Sequence, residues 1–181
     1  MEWSLSRTTT AGQDSSSLGT TNVRYKGWRS EAALVSDPRL VRLSALPFEV
    51  LAAYDNAFVP APRPAFLRAW IGMPQSHALG WWEAGELLGC GVLRKCREGY
   101  KLAPLCADTA FIAEALFEAL RSKLPVTEPV FIDVPQCNPN AVQMALSHGL
   151  EATFPTARMY RGPAPQLALS RLYGLTSLEV G

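Results

Sequence analysis

The chain has 181 residues, 48% of them hydrophobic, and carries a formal net charge of +1 with a pI of about 7.7. This length and composition suffice for one domain with a full core, whereas a balanced charge cannot neutralise a nucleic-acid backbone, which excludes nucleic acid as a main partner. No apolar run approaches the roughly 18 to 20 residues that span a bilayer, and the N-terminus lacks the features of a signal peptide, so we expect a cytoplasmic protein with no membrane partner.

The N-terminal part of the chain contains little that a core could bury. Residues 1–21 are rich in Ser, Thr and Gly, which predicts a disordered tail. The stretch "NVRYKGW" then predicts a short strand, and we interpret residues 22–38 as a linker or as the closing strand of a preceding unit. The stretch "PRLVRLSAL" predicts a second short strand, because apolar and polar residues alternate in it.

The middle of the chain predicts two helices followed by three strands. The stretches "PFEVLAAYDNAF" and "AFLRAWIGM" have helical character, and the proline-rich "VPAPRP" separates them. From His77 to Leu105 the apolar stretches are interrupted by "EAGE" and "REG", which are turn signals. We therefore predict a β-meander in this region.

The second half begins with the clearest helix, "DTAFIAEALFEALRSKLP", for which Asp108 or Thr109 is the candidate cap. The continuous apolar "EPVFIDVPQ" predicts a strand buried on both faces. The stretch "NPNAVQMALSHGL" predicts a helix capped by Asn138 and ended by Gly149. The stretches "EATFPTARMYRG" and "LTSLEVG" predict late strands. The resulting order predicts a mixed sheet with helices on both faces, an α/β or α+β domain.

The cysteines have no metal-ligand spacing, since no two of them form a CxxC pair, and His77 and His148 complete no ligand pattern. Without a secretory signal, disulfides are not expected either. We therefore predict four buried free thiols and no metal; the four are Cys90, Cys96, Cys106 and Cys137.

The predicted order over residues 39–181 resembles the GNAT superfamily of acyl-CoA-dependent N-acetyltransferases. The motifs "CREGYKLAPLCAD", "FIDVP", "NPNAVQMALSHGL" and "ARMYRG" resemble the C-terminal GNAT-type domain of tandem two-domain acetyltransferases. The resemblance implies a mostly antiparallel sheet with a central parallel splay. The stretch "NVRYKG" is similar to "ARMYRG", which ends one GNAT-like unit. Either "NVRYKG" is the closing strand of a preceding unit, or the similarity is a coincidence between two short aromatic and basic strands.

The resemblance also implies where acyl-CoA, the expected co-substrate, binds. Its pantetheine arm would lie in the splay between "KLAPL" and "VFIDV", with a backbone donor for the thioester oxygen between Leu102 and Leu105. Its pyrophosphate would lie on the amides that begin the next helix. The implied binding residues are Leu102, Ala103, Leu105, Cys106, Ala107, Asp108, Thr109, Ala110 and Asn138.

The phosphate-binding loop departs from the family pattern Gln/Arg-x-x-Gly-x-Gly/Ala. Ala107 stands at the Gln/Arg position, and Ala110 and Ile112 stand at the glycine positions. Each therefore adds a Cβ where the ligand would approach. Asp108 either opposes the diphosphate by its charge or simply caps the helix, and capping is the reading that we prefer.

The later helix departs from the pattern Asn-x-x-Ala-x-x-x-Tyr-x-x-x-Gly at one position. Asn138, Ala141 and Gly149 match, but Ala145 replaces the tyrosine that protonates the CoA thiolate in many relatives. Another donor would be needed, and Tyr160 or Tyr100 is the nearest candidate by motif. Both alternatives, proton donor and ordinary strand tyrosine, stay open.

Asp133 is the candidate general base for the acceptor amine, because a carboxylic acid inside an apolar strand is unusual. The alternative is that Asp133 accepts hydrogen bonds from loop amides and holds the splay open. We thus predict Asp133 and Tyr160 as catalytic residues.

Two functions remain open at this point. The first is an N-acyltransferase that transfers an acetyl or other acyl group from acyl-CoA to an amine of a small molecule or peptide. The second is a non-catalytic, degenerate GNAT-like module for substrate closure or dimerisation, which the missing loop residues and tyrosine favour. A third possibility is an unrelated ligand-binding α/β domain. The oligomeric state is also open, and a homodimer is possible.

Overall fold

A computed structural model describes residues 16–29 and 36–178 of the chain. Its strands form one eight-stranded sheet. The strands are β1 (Ser16–Trp28), β2 (Leu40–Arg42), β3 (Ser76–Glu83), β4 (Glu86–Lys95), β5 (Tyr100–Ala107), β6 (Pro129–Pro135), β7 (Glu151–Arg161) and β8 (Leu172–Gly174). The helices are α1 (Phe48–Asp55), α2 (Pro64–Ile71), α3 (Ala110–Arg121) and α4 (Pro139–Ser147).

The order in the sheet is β2-β3-β4-β5-β6-β1-β7, and β8 pairs with β5. Every neighbouring pair is antiparallel except β5 and β6, which are parallel. These two strands pair only at Tyr100 with Val130 and at Lys101 with Phe131, and then diverge. The predicted mixed sheet with a central parallel splay is therefore confirmed.

Hydrophobic clusters cover both faces of the sheet, as the prediction of helices on both faces requires. One cluster packs α3 and α4 against the sheet and contains Leu102, Leu116 and Ile132, none of which is exposed. The other packs α1 and α2 against the opposite face and contains Leu51 and Val92. Successive residues of the central strands point alternately into the two clusters.

The strand at the N-terminal end lies inside this sheet. β1 runs antiparallel to β6 on one side and to β7 on the other, so that Arg24 lies opposite Asp133. The strand in the stretch that we interpreted as a linker or as the closing strand of a preceding unit thus pairs within this sheet, between β6 and β7. β1 begins at Ser16, so residues 16–21 of the predicted disordered tail form part of a strand, while residues 1–15 lie outside the described part.

Three details correct or refine the predicted elements. Thr109, not Asp108, caps α3, because its Oγ1 accepts a hydrogen bond from the Ile112 amide at 3.3 Å. Asn138 caps α4 as predicted, and Gly149 follows α4 in the left-handed region at a φ of 69°. The last described strand is Leu172–Gly174, and residues 175–178 of the predicted strand "LTSLEVG" follow it outside the ladder with β5, while residues 179–181 lie outside the described part.

None of the helices within the described residues is both long enough and apolar enough to cross a membrane.

Candidate functional site

The splay between β5 and β6 is the place where the resemblance puts pantetheine. β5 and β6 diverge after Lys101 and Phe131, and the β5 residues Leu102, Ala103 and Leu105 are completely buried. Divergence of two parallel strands leaves unpaired backbone groups on their facing edges, and each of these groups needs a hydrogen-bond partner.

The chain itself supplies such partners. β8 pairs antiparallel with β5, with Gly174 opposite Leu105 and Leu172 opposite Cys106. One residue further on, the Leu175 amide donates a hydrogen bond of 2.9 Å to the carbonyl of Asp133 on β6. Residues 168–177, here named the C-terminal segment, therefore bridge both strands and fill the splay.

Side chains from three other elements hold the C-terminal segment in place. The Asn138 amide donates hydrogen bonds to the carbonyls of Ser170 at 3.1 Å and Leu172 at 2.9 Å. Arg63 Nη2 donates to Thr176 Oγ1 at 2.9 Å. Asn138 is only 1% exposed and Tyr173 only 2%, so this interface is part of the core. Asn138, which we predicted to bind cofactor, is here a residue that fixes the C-terminal segment.

The start of α3, where pyrophosphate would lie, also contacts the C-terminal segment. The Asp108 carboxylate accepts a hydrogen bond from the Tyr54 hydroxyl at 2.7 Å and another from Arg171 Nε at 3.0 Å. Asp108 thus links α1 to the C-terminal segment. Burial raises the pKa of Tyr54 above its usual range, and the neighbouring Cys90 and Asp108 raise it further, so the hydroxyl remains a donor.

The groove between α3 and α4 has an acidic side chain in its lining. Its cavity of about 160 Å³ contains Glu114 and, among the residues that the structure describes, no Lys or Arg. Its lining residues are Ala110, Glu114, Asn140, Gln143, Met144, Ser147 and Tyr173. Together with the filled splay and the side chains at Ala110 and Ile112, this groove does not fit acyl-CoA in the arrangement that the structure describes.

Asp133 has partners that neither sequence interpretation anticipated. Its side chain is fully buried, and Oδ1 lies 2.7 Å from Arg24 Nε while Oδ2 lies 3.1 Å from Arg24 Nη2. The Lys101 ammonium also contacts Oδ2. The carboxylate is therefore engaged by two cations rather than by loop amides, and it is not available as an unpaired base. Only the register of β1 against β6 reveals Arg24 as its partner.

Tyr160 lies far from Asp133. It is half-buried on β7 opposite Ser17, whereas Asp133 lies opposite Arg24 on the other side of β1. Seven positions of an extended strand separate Ser17 from Arg24, which corresponds to about 20 Å. The structure thus does not bring the two predicted catalytic residues together. Ala145, at the position of the missing tyrosine, is completely buried in the core.

Tyr100, the other candidate proton donor, lies half-buried at the closed end of the splay, with the Lys95 ammonium 4.8 Å from the centre of its ring. The nearby α2 contributes Trp70, whose indole N–H donates a hydrogen bond of 2.8 Å to the Ala103 carbonyl. The resemblance implies that Tyr54 and Trp70 either line an acceptor pocket or belong to the core, whereas sequence reasoning missed Arg171 as a residue of this region, because only the fold places it beside the head of α3.

One group of metal-ligand type occurs within the described residues: Glu114, Glu118 and His148 have ligand atoms within 4.8 Å of one another. His148 Nε2 contacts the Glu114 carboxylate, and Nδ1 lies 3.0 Å from Glu118. Arg121 pairs with Glu118 at 2.9 Å. The imidazole thus lies between the two carboxylates and links α3 to α4.

A mixed sheet with a parallel splay at its centre, followed by a capped helix at the splay's mouth, defines the GNAT class of acyltransferase folds. The chain belongs to the GNAT acetyltransferase family: residues 51–174 match the family model described as an acetyltransferase (GNAT) domain.

Similarities to individual proteins support this family assignment. Holothin acyltransferase of Pseudoalteromonas sp. (strain SANK 73390) is 28% identical over 128 residues, which make up 71% of this chain and 44% of that protein. A Pyrococcus horikoshii protein assigned to the acetyltransferases has a similar fold, with a TM-score of 0.72 and 19% identity over 92% of this chain and 53% of its own. A GNAT-family acetyltransferase from Colwellia psychrerythraea has a TM-score of 0.55 at 14% identity, covering 82% and 58% of the two chains. The chain thus spans about half the length of these relatives.

Proposed function

We propose that this chain is a non-catalytic GNAT unit of an N-acyltransferase that uses acyl-CoA and an amine acceptor. The observation that carries the proposal is the C-terminal segment, which is hydrogen-bonded to both strands of the splay. A thioester arm that pairs with the same strand edge would have to displace it. The unit then serves acyl transfer by closing over the substrate or by association with an active unit, and the thioester is held elsewhere.

The acyl-transfer part of the proposal rests on the family and on the acyltransferase relative. The non-catalytic part rests on three features that act independently. The splay is filled, the head of α3 has lost the basic residue and the glycines, and the groove between α3 and α4 contains a carboxylate but no cation. A diphosphate favours bare helix-end amides and positive charge, and these features work against both.

Calorimetric titration of the full chain with acetyl-CoA tests the proposal. We expect no saturable heat up to high micromolar concentrations of the ligand. The Asp108→Asn variant is a companion test, because it removes the charge that opposes a diphosphate and weakens the contact with Arg171, while the pairing of β8 with β5 remains. It should also give no saturable heat. A dissociation constant below about 100 μM for the unaltered chain, roughly −5.5 kcal/mol of binding, would overturn the proposal.

A second candidate function is catalysis by this unit itself after the C-terminal segment leaves the splay. The observation that favours it is the short ladder of β8, which has only three residues. The Asn138→Ala variant removes two hydrogen bonds to the segment. Gain of acetyl-CoA binding in this variant, abolished by adding Ala110→Glu at the head of α3, would support catalysis by this unit. Absence of binding in both variants would leave the non-catalytic function as the better one.

A further inference from the structure

A second cavity lies on the face of the sheet opposite α3 and α4. Its volume is about 320 Å³, and we name it the basic cavity; its lining residues are Arg24, Arg94, Cys96, Glu98, Lys101 and Phe131. Lys101 and Phe131 belong to the closed end of the splay, but neither the C-terminal segment nor the head of α3 lines the cavity, so it is distinct from the part of the splay that the C-terminal segment fills.

The register of the strands explains why these side chains meet. Arg94 lies opposite Lys101, and Lys101 lies opposite Phe131, so the three share one face of the sheet. Asp133 follows Phe131 by two positions on the same face, and Arg24 lies opposite it on β1. The intervening Leu102 and Ile132 face the other way, into the cluster beneath α3 and α4.

The charges in the basic cavity are unequal. Arg24, Arg94 and Lys101 contribute three positive charges, against the carboxylates of Glu98 and of Asp133 beneath the floor. Glu98 points its side chain largely into solvent, at 70% exposure, where it pairs with Lys26 at 2.9 Å. A cavity with this balance attracts anions and repels the ammonium form of an amine.

Arg94 carries the strongest indication of a ligand. Its guanidinium lies over the Trp70 ring, 4.8 Å from the ring centroid, and Trp70 is itself fixed by its hydrogen bond to Ala103. Its buried Nε has no hydrogen-bond partner within the described residues. A buried donor without an acceptor is rare and calls for an explanation such as a bound molecule, and a stacked, pre-oriented guanidinium is suited to an oxyanion.

We propose that the basic cavity binds the oxyanion group of a small organic molecule, a carboxylate or a phosphate, with Arg94 as the principal contact. The Arg94 fork binds the oxyanion, Lys101 and Arg24 add positive charge from the floor, and Phe131 supplies an apolar wall for the body of the molecule. The site recognises the acidic end of its ligand and does not depend on the proposed function.

The site is tested by titrating the full chain at low salt with citrate and, separately, with inorganic pyrophosphate. Amide NMR and calorimetry measure the binding. We expect saturable binding of at least one probe, and the stronger probe identifies carboxylate or phosphate as the preferred group. The shifted amides should include Lys101 and Phe131. Because no acyl-CoA is present, the outcome is independent of the acetyl-CoA titration.

Three variants make the test specific. Arg94→Gln should weaken binding by about tenfold or more, the loss expected for one charge-assisted contact. The affinity of Arg94→Lys should lie between that of the unaltered chain and that of Arg94→Gln. Arg97→Gln removes the same charge from an exposed arginine of the neighbouring loop that does not line the cavity, and should leave the affinity unchanged. If Arg94→Gln does not fold, the affinity of Arg94→Lys and the amide shifts of the unaltered chain still test the site.

Two outcomes would overturn the proposal. The first is the absence of saturable binding of either probe at about 10 mM, which is weaker than any affinity a built site should give. The second is equal weakening by Arg97→Gln and Arg94→Gln, or shifts centred on Arg42, His77 and Lys123. Those three residues line a separate cavity of about 550 Å³ near β2 and β3, where Arg42 and Lys123 are exposed and solvated.

Discussion

Asp55 shows how single residues hold the C-terminal segment. It is 5% exposed, and its carboxylate makes two bonds of 2.8 Å to Arg63, one from Nε and one from Nη2. The same Nη2 reaches Thr176. One buried ion pair thus orients the cation that fixes the far end of the segment, and its loss would leave a buried charge without compensation.

We therefore predict that Asp55→Ala lowers the free energy of unfolding by about 3 kcal/mol, the cost of removing one partner of a buried pair. Urea denaturation followed by circular dichroism measures this change. Glu49→Ala, an exposed change on the same helix, should stay within about 0.5 kcal/mol. Equal effects of the two variants would mean that the pair does not stabilise the fold.

Gly174 is a second residue on which the segment depends. A Cβ built at this position would lie 3.0 Å from two side-chain carbons of Ile132, which is too close for ordinary packing. The absence of a side chain therefore lets β8 approach β6 where β5 and β6 have diverged.

Gly174→Val should cost about 1–3 kcal/mol by overpacking and should loosen the segment first. Hydrogen exchange resolved by mass spectrometry should show faster exchange in residues 172–176 than in α3. Ala164→Val, at an exposed position of the preceding loop, is the control and should change neither quantity. Unaltered exchange in Gly174→Val would show that the splay has more room than the distances indicate.

At the scale of elements, the central strands β4 and β5 bring two thiols face to face. Cys90 lies opposite Cys106, and both are buried. The prediction of four buried thiols is wrong for the other two, since Cys96 is half-buried and Cys137 is exposed. Burial, and after it the hydrogen bond to Cys90, raises the pKa of the Cys106 thiol well above its usual range. A raised thiol pKa keeps the sulfur protonated at neutral pH, and the protonated form is unreactive.

We predict that iodoacetamide at neutral pH modifies Cys137, which is exposed, and leaves Cys90 and Cys106 unmodified until the protein unfolds. Peptide mass spectrometry before and after addition of urea measures the difference. Raising the pH should speed the reaction of Cys106 only above its raised pKa. Rapid labelling of Cys106 in the folded protein at neutral pH would contradict the packing of β4 against β5.

The sequence predicts the elements whose signals are local. The cap and apolar face of α3, Asn138 before Pro139, and the meander of β3 to β5 are all readable from neighbouring residues. The positions of β1 and β8 are not, because their partners lie far away in the chain. The ion pair of Arg24 with Asp133 joins residues that are 109 positions apart, and no local pattern encodes such a pairing.

The candidate site divides in the same way. The loss of the glycines and of the helix tyrosine could be seen in the residues themselves, and these losses pointed to a unit without CoA chemistry. The filling of the splay could not be seen, since "LALSRLYGL" carries no signal that distinguishes a strand in the cleft from one at an edge. Asp133 is recognisable in the sequence as a carboxylic acid inside an apolar strand, but its cationic partners come from β1 and β5.

At the scale of the whole molecule, both ends of the described chain enter the middle of the sheet. β1 lies on one side of β6, and the C-terminal segment lies on the other, where it bonds to the Asp133 carbonyl. β6 is therefore flanked by the two most distant parts of the chain. Neither end can detach without leaving buried backbone groups on β6 unpaired.

This arrangement predicts a single cooperative unfolding transition for residues 16–178. Tryptophan fluorescence, to which the buried Trp81 contributes, and far-ultraviolet circular dichroism should give the same urea midpoint. Refolding should be slow for a domain of this size, because long-range pairings must form before the core closes. Separate midpoints for the two probes would show that one end of the chain opens independently.

The filled splay has a consequence for how freely the head of α3 can change. A loop that must admit a diphosphate is confined to glycine and to residues that leave its amides bare. Once a strand from the same polypeptide occupies the cleft, the residue types at the head of α3 are no longer restricted by a ligand. These positions then need only to pack against their neighbours. Phe111 illustrates such a site: its ring meets Trp81 edge-on at 5.6 Å while remaining 64% exposed. Under the proposed function, mutations in this loop should be tolerated, whereas the tolerance of an active GNAT unit at the same positions would be low.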